Sequence, residues 1–317
     1  MTEPLLTEEQ RFTIFPIKYP EIWREYKKQV ASFWTPEEID FSKDLTDWDN
    51  KLKEEERNFI KMILAFFAGA DGIVNLNLMK NFVNDVKILE AQMTYGFQCS
   101  MESIHSETYS LMIDTYIKDQ DEKLKLFNAI ETIPCIKKKA DWALKWVFNK
   151  ESFSKRLIAF CIVEGIFFSG AFCAIYWLKQ RSLLPGLSKS NEFIARDEGM
   201  HTDFGILLYL MLINKLDQDY VHEMCKVAVE IEKEFINDSI SCKMIGMNIE
   251  LMSDYIEYVA DRLLISLGYD KIYNKHNPFT FMNFIGMESR SNFFEERTST
   301  YQKANLGSNK VEYDEDF

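Results

Sequence analysis

Met101-Glu102-Ser103-Ile104-His105-Ser106-Glu107-Thr108-Tyr109 and Arg196-Asp197-Glu198-Gly199-Met200-His201 are the stretches whose reading decides the fold. Each sets a glutamate three residues before a histidine. Residues i and i+3 of an α-helix share a face, so each pair aims one carboxylate and one imidazole at the same point. The chain has 4 histidines, and two of them carry this spacing. Two facing Glu-x-x-His pairs supply half the walls of a two-metal site.

The flanking residues decide whether such pairs face a core. Apolar periodicity predicts four long helices. The first, over 54–84, has the stripe Ile60, Ile63, Leu64, Phe67, Val74 and Leu78, with Asp71 on it. The second, over 86–117, has Ile88, Tyr95, Cys99, Met112 and Tyr116, with Glu102, His105 and Tyr109 between them. The third, over 154–180, has Leu157, Cys161, Phe168, Ala171 and Ile175, and includes Glu164. The fourth, over 190–214, has Ile194, Phe204, Leu208 and Leu212, and includes Glu198 and His201. The Leu184-Pro185-Gly186 turn separates the last two, and further helices are expected over 217–245 and 248–267.

Burying one unpaired carboxylate costs several kcal/mol. Four helices that do so independently would not fold, and a shared cation removes the difficulty. Asp71, Glu102, His105, Glu164, Glu198 and His201 together offer four carboxylates and two imidazoles. Such a set belongs to di-iron or di-manganese helical bundles, and its mixed oxygen and nitrogen donors suit those metals better than zinc. His222 and His276 lack the context and read as surface or loop histidines.

Composition agrees with a helical reading. The 317 residues are 47% hydrophobic, with only 7 Pro and 12 Gly, too few for a turn-rich all-β sandwich. The net charge of −13 disfavours nucleic acid and anionic membrane surfaces. No basic segment followed by an apolar core opens the chain, so no signal peptide is expected. Apolar runs such as 162–168 are interrupted by Glu164 and read as too short to span a bilayer. Six cysteines without Cys-x-x-Cys spacing read as reduced core thiols of a cytosolic protein.

Three regions are expected: a lead-in segment over 1–30, a helical domain over 31–290 and a flexible tail over 291–317. The lead-in offers Phe12, Ile14, Phe15, Ile17 and Trp23 for packing. Thr35-Pro36-Glu37-Glu38 reads as a capping box, with Trp34 placed to staple onto Ile39. The end, Glu312-Tyr313-Asp314-Glu315-Asp316-Phe317, reads as a mobile acidic tail with aromatic anchors. Tyr109 lies about 6 Å along the axis from His105 on the same face. Beside an oxygen-activating metal pair it becomes an oxidisable side chain, with Phe168 and Phe172 as an apolar shell.

These residues resemble the small, radical-bearing subunit of class I ribonucleotide reductase, in its eukaryotic and large-DNA-virus branch. The likeness covers nearly the whole chain. It rests on Ser32-Phe33-Trp34-Thr35-Pro36-Glu37-Glu38-Ile39-Asp40, Phe66-Phe67-Ala68-Gly69-Ala70-Asp71-Gly72-Ile73-Val74 and 101–109. It continues in Val163-Glu164-Gly165-Ile166-Phe167-Phe168-Ser169-Gly170, in 196–201 and in Asn292-Phe293-Phe294-Glu295.

The resemblance implies an all-α ferritin-like bundle holding two iron ions per chain in an oxo-bridged centre, with manganese as the other candidate. Asp71, Glu102 and His105 would hold one ion, and Glu164, Glu198 and His201 the other, with Glu102 and Glu198 as candidate bridges. Tyr109 matches the radical tyrosine, and Trp34 the tryptophan that passes an electron. Asp197 matches the acid linking that tryptophan to His105, and Tyr301 the tail relay. Residues 311–317 match the peptide that docks on the large subunit, and the chain is expected to be a cytoplasmic homodimer. The chain begins almost at the core, so regulated degradation through a longer N-terminal extension is not expected. Tyr313 and Glu315 replace the aliphatic and small residues usual in such tails, which bears on partner specificity. Two other functions share the bundle: a di-iron oxygenase or ferroxidase, and a non-catalytic subunit that assembles with a competent paralogue.

Overall fold

The computed structural model describes residues 3–9, 11–239 and 248–282. Among these the regular structure is helical, without strands. In chain order the α-helices begin with α1 (Pro4–Thr7), α2 (Pro20–Ala31), α3 (Asp44–Asn50), α4 (Glu54–Asn77) and α5 (Val83–Asp85). Then come α6 (Leu89–Tyr116), α7 (Gln120–Phe127), α8 (Ala129–Thr132), α9 (Pro134–Phe148) and α10 (Phe153–Ile162). The described chain closes with α11 (Ser169–Gln180), α12 (Pro185–Met211), α13 (Gln218–Ser239) and α14 (Ile249–Leu267). A π-helical turn, Leu78–Phe82, joins α4 to α5, and a second, Val163–Phe167, lies between α10 and α11. The result is the expected helical bundle, with α4, α6, α10–α11 and α12 around one core.

Local chemistry explains the boundaries. Asn248 Oδ1 accepts the Leu251 N–H at 2.7 Å to start α14, and Gly268, at φ 88°, ends it in the left-handed conformation only glycine adopts freely. The fourth predicted helix starts earlier than its apolar stripe suggests, at Pro185. The cause is tertiary. Asp44 accepts the N–H groups of Gly186 and Leu187, both at 2.8 Å, and Asp47 accepts that of Leu184 at 2.9 Å. Two carboxylates of α3 thus satisfy amide donors at the start of α12 and its Pro185 turn.

Several expectations need correction. The capping box is real in part, since Glu38 accepts the Thr35 N–H at 3.2 Å. It starts only a 3-10 turn, Pro36–Glu38, because Ile39 is extended at φ −110°, ψ 125°. Phe12 of the lead-in is 90% exposed, and Phe15, 70% exposed, meets only the edge of Trp23, with ring centroids 6.4 Å apart. Polar contacts hold that segment as well. Buried Glu90 pairs with Arg11 and accepts the N–H groups of Lys18 (2.9 Å) and Tyr19 (3.4 Å). The helix α9 was not anticipated, because its Lys137-Lys138-Lys139 run looks like a solvated surface. The apolar run around Glu164 is not short either: it belongs to a continuous 28-residue stretch, Phe153–Gln180. Its most apolar window is 89% buried inside the fold, so it is a core helix. Of the five described cysteines, Cys135, Cys161, Cys173 and Cys225 are buried and Cys99 is half-buried; all are free thiols. Cys242 lies outside the described residues.

Candidate metal centre

All six predicted ligands are buried. Asp71, Glu102, His105 and His201 are fully enclosed, and Glu164 and Glu198 are 3% and 2% exposed. Asp71 comes from α4, Glu102 and His105 from α6, Glu164 from the second π turn, and Glu198 and His201 from α12. Glu102, Glu164, Glu198 and His201 bring one donor atom each within 4.8 Å of one another. His105 joins them through Nδ1, which lies 2.9 Å from Glu198 Oε1 and 3.7 Å from Glu102 Oε2. His201 Nδ1 lies 3.0 Å from Glu102 Oε1 and 2.9 Å from Glu198 Oε2. Glu102 and Glu198 therefore each reach both imidazoles. Asp71 is outside the tightest group but acts on it electrostatically.

The titration behaviour follows from this crowding. Burial, then the negative charge of Glu102 and Glu198, holds Asp71 well above the usual carboxylate range. Glu164 is raised in the same way, by burial and then by Glu198 and Glu102. Burial alone would raise Glu198 too, but His105 and His201 outweigh it and hold it low. For His201, burial is outweighed by Glu102 and Glu198, and its pKa rises to about 9. Neither Asp71 oxygen, neither Glu164 oxygen nor Glu102 Oε2 finds a hydrogen-bond partner among the described residues. Buried polar atoms without partners are rare in folded proteins. Oriented oxygens and imidazoles left unpaired in a dry core are what divalent metal ions require, so the residues present fit a di-metal site.

Asp197 organises the periphery. Its Oδ2 accepts from Trp34 Nε1 at 2.7 Å and lies 3.2 Å from His105 Nε2. Its Oδ1 accepts from Arg196 Nη2 at 2.8 Å, and Arg196 also donates to the Ser32 carbonyl at 2.7 Å. This fixes the His105 ring so that Nδ1 faces the cluster. Trp34 stacks on His105 (centroids 6.0 Å apart) and contacts Phe193 (5.4 Å), the surroundings that hold its indole.

Tyr109 is fully buried, and its hydroxyl has no hydrogen-bond partner among the described residues. Burial, then the charges of Asp71, Glu198 and Glu102, pushes its pKa well above 10.0. Phe67 stacks on the ring at 4.6 Å and 6°, and Phe172 and Phe168 pack on Phe67 at 5.0 and 5.4 Å. The expected shell is therefore one ring removed, with Phe67 in direct contact. Phe67 stands one turn before Asp71, a position that marks it as a neighbour of the site. Gln98, one turn before Glu102, was also missed; its Nε2 donates to Glu102 Oε1 at 3.2 Å. Two apolar clefts run outside the centre, between α4, α9 and α10 with its π turn, and none of the six ligands lines either one. Tyr301 and residues 311–317 lie outside the described residues.

Comparison with known proteins gives a consistent answer. Residues 11–278 match the family model described as ribonucleotide reductase, small chain. A ribonucleoside-diphosphate reductase small chain of Neurospora crassa is 58% identical over 99% of this chain and 77% of its own length. That of Trypanosoma brucei brucei is 57% identical, over 97% and 92%. Among solved structures, the ribonucleotide reductase Rnr4 homodimer of Saccharomyces cerevisiae superposes with a TM-score of 0.82 at 40% identity, covering 90% of this chain and 91% of that one. With its di-metal site and its ferritin-like fold, the chain belongs to the ribonucleotide reductase small-chain family and is a small subunit of ribonucleoside-diphosphate reductase.

Proposed function

We propose that this chain holds two iron ions, one on Asp71, Glu102 and His105 and the other on Glu164, Glu198 and His201, and stores an oxidising equivalent as a radical on Tyr109. The observation that carries this reading is the convergence of four carboxylates and two imidazoles in a dry core beside a tyrosine with no hydrogen-bond partner. When bound, the metal pair supplies oxidising power from dioxygen. Glu102 and Glu198, each within reach of both histidines, are the carboxylates that would hold both ions. Tyr109 cannot persist as a phenolate in this environment, so it loses its Oη proton together with the electron. Asp71 acts most strongly on the Tyr109 charge among the carboxylates and is the candidate acceptor. Phe67, Phe168 and Phe172 exclude water from the ring.

Trp34, Asp197 and His105 form a hydrogen-bonded path from the centre outward, which Tyr301 continues toward a partner. Residues 31–290 act as the helical metal-binding unit. Residues 291–317 form the tail, and 311–317 dock on a separate large subunit that binds and reduces ribonucleoside diphosphates. The chain works as a cytoplasmic homodimer.

The test is reduction of a ribonucleoside diphosphate by this chain alone, by a mixture with a large subunit, and by the mixture with a 1–310 truncation. Product is expected only from the intact mixture, with metal binding unchanged in the truncated chain. Reduction by the isolated chain refutes the division of labour.

A further inference from the structure

The helix that carries Glu164 breaks just after it. The π turn Val163–Phe167 is followed by Phe168, and α11 starts at Ser169. A break of this kind leaves backbone groups without their ladder partners. Here the carbonyl on the near side of the break is met by a side chain from another helix. Lys139 of α9 donates from Nζ to the Phe167 carbonyl at 2.6 Å. Glu232 of α13 lies against Gly170, in the first turn of α11. The two side chains also pair with each other, Nζ to Oε2 at 2.6 Å, and both are fully enclosed. The ammonium lies 3.5 Å from the Phe66 ring centre and 4.0 Å from that of Phe235.

Gly170 makes this approach possible. A Cβ there would stand 2.6 Å from Glu232 Oε1 and 2.8 Å from Ile236 Cδ1. The glycine that ends the motif starting at Val163 therefore leaves the room that the Glu232 carboxylate occupies beside Lys139.

A buried ion pair is a poor device for stability alone, since apolar side chains of similar volume often serve as well or better. This pair sits where the π turn ends, three residues beyond Glu164. No hydrogen-bond partner among the described residues reaches either Glu164 oxygen, so the backbone of the turn is what aims that carboxylate. Phe168, at the break itself, packs at 5.4 Å on Phe67, the ring stacked on Tyr109.

We propose that Lys139 and Glu232 are positioning residues for the metal centre: Lys139, held in place by Glu232, binds Phe167 O and fixes where the π turn ends, and so holds the Glu164 carboxylate in its ligating direction. The inference rests on the assignment of Glu164 as a ligand, and the test separates the two.

The metal-free full chain is titrated with manganous ion, the free ion is followed by electron paramagnetic resonance, and folding is monitored by thermal unfolding. The parent is expected to bind two ions and Glu164→Ala to lose one. The double variant Lys139→Met with Glu232→Leu leaves no uncompensated buried charge, so it retains the fold. It is expected to bind one ion as the parent does and the other about 10-fold more weakly or worse. Should the double variant not fold, Gly170→Ala displaces Glu232 without removing a charge and is expected to show the same selective loss. Parent-like binding of both ions by the folded double variant, with Glu164→Ala impaired, overturns the proposal. Parent-like binding by Glu164→Ala overturns the ligand assignment instead.

Discussion

Asp197 shows how much one side chain fixes. Burial would raise its pKa, but Arg196, His105 and the Trp34 N–H outweigh it, so it stays ionised between an indole and an imidazole. Replacing it with Ala frees the His105 ring and leaves Trp34 Nε1 buried without an acceptor. Asp197→Ala is expected to weaken metal binding about 10- to 100-fold, measured by competition with a chelator. The unpaired indole N–H should cost about 1–3 kcal/mol of stability. Unchanged affinity would mean that Asp197 does not orient the ring. Helical spacing states which face a residue occupies: all six candidate ligands are buried, and Glu102, Glu164, Glu198 and His201 lie together with His105 beside them. The rotamers were not legible: that the Trp34 indole stacks on His105 is not stated by its place before the capping box. Phe67, Gln98 and Arg196 owe their places to neighbours on other turns and helices, which no local pattern specifies.

At the scale of the element, apolar periodicity found the long helices but neither π turn. Phe153–Gln180 is apolar and buried on nearly every face, so no single stripe is there to show the phase change at the π turn, and it reads as one regular helix. The buried Lys139 likewise hides α9, because lysine is almost never fully enclosed unless paired, and its partner Glu232 lies far along the chain. The lead-in segment is another case, in which polar anchors join the aromatic contact of Phe15 with Trp23. Burial would raise the pKa of Glu90, but its ion pair with Arg11 and the N–H groups of Lys18 and Tyr19 pull it below 4.5. A carboxylate with a depressed folded-state pKa stabilises the fold fully above its unfolded value, and that contribution disappears as pH falls through the depressed one. Glu90→Gln should therefore lower stability at pH 7 by about 1–3 kcal/mol. The gap from the parent should narrow as pH drops below 4.5. Urea unfolding of the metal-free proteins at neutral and acid pH measures both, and a gap independent of pH would contradict the assignment.

Over the whole molecule, the net charge of −13 and the inward carboxylates pose a single problem. Four helical segments each bury acid groups, and the fold tolerates them by crowding them around two imidazoles at one point. Two divalent ions would neutralise those four carboxylates while Tyr109 stays dry behind Phe67. The chemistry proposed for this chain therefore depends on metals and tyrosine acting as one unit. The most direct test is electron paramagnetic resonance on metal-free protein given ferrous iron and oxygen, with Tyr109→Phe alongside. A tyrosyl signal in the parent that is absent from a variant still able to take up iron is the predicted result. Iron uptake and oxygen consumption by the parent without any tyrosyl signal would contradict the account.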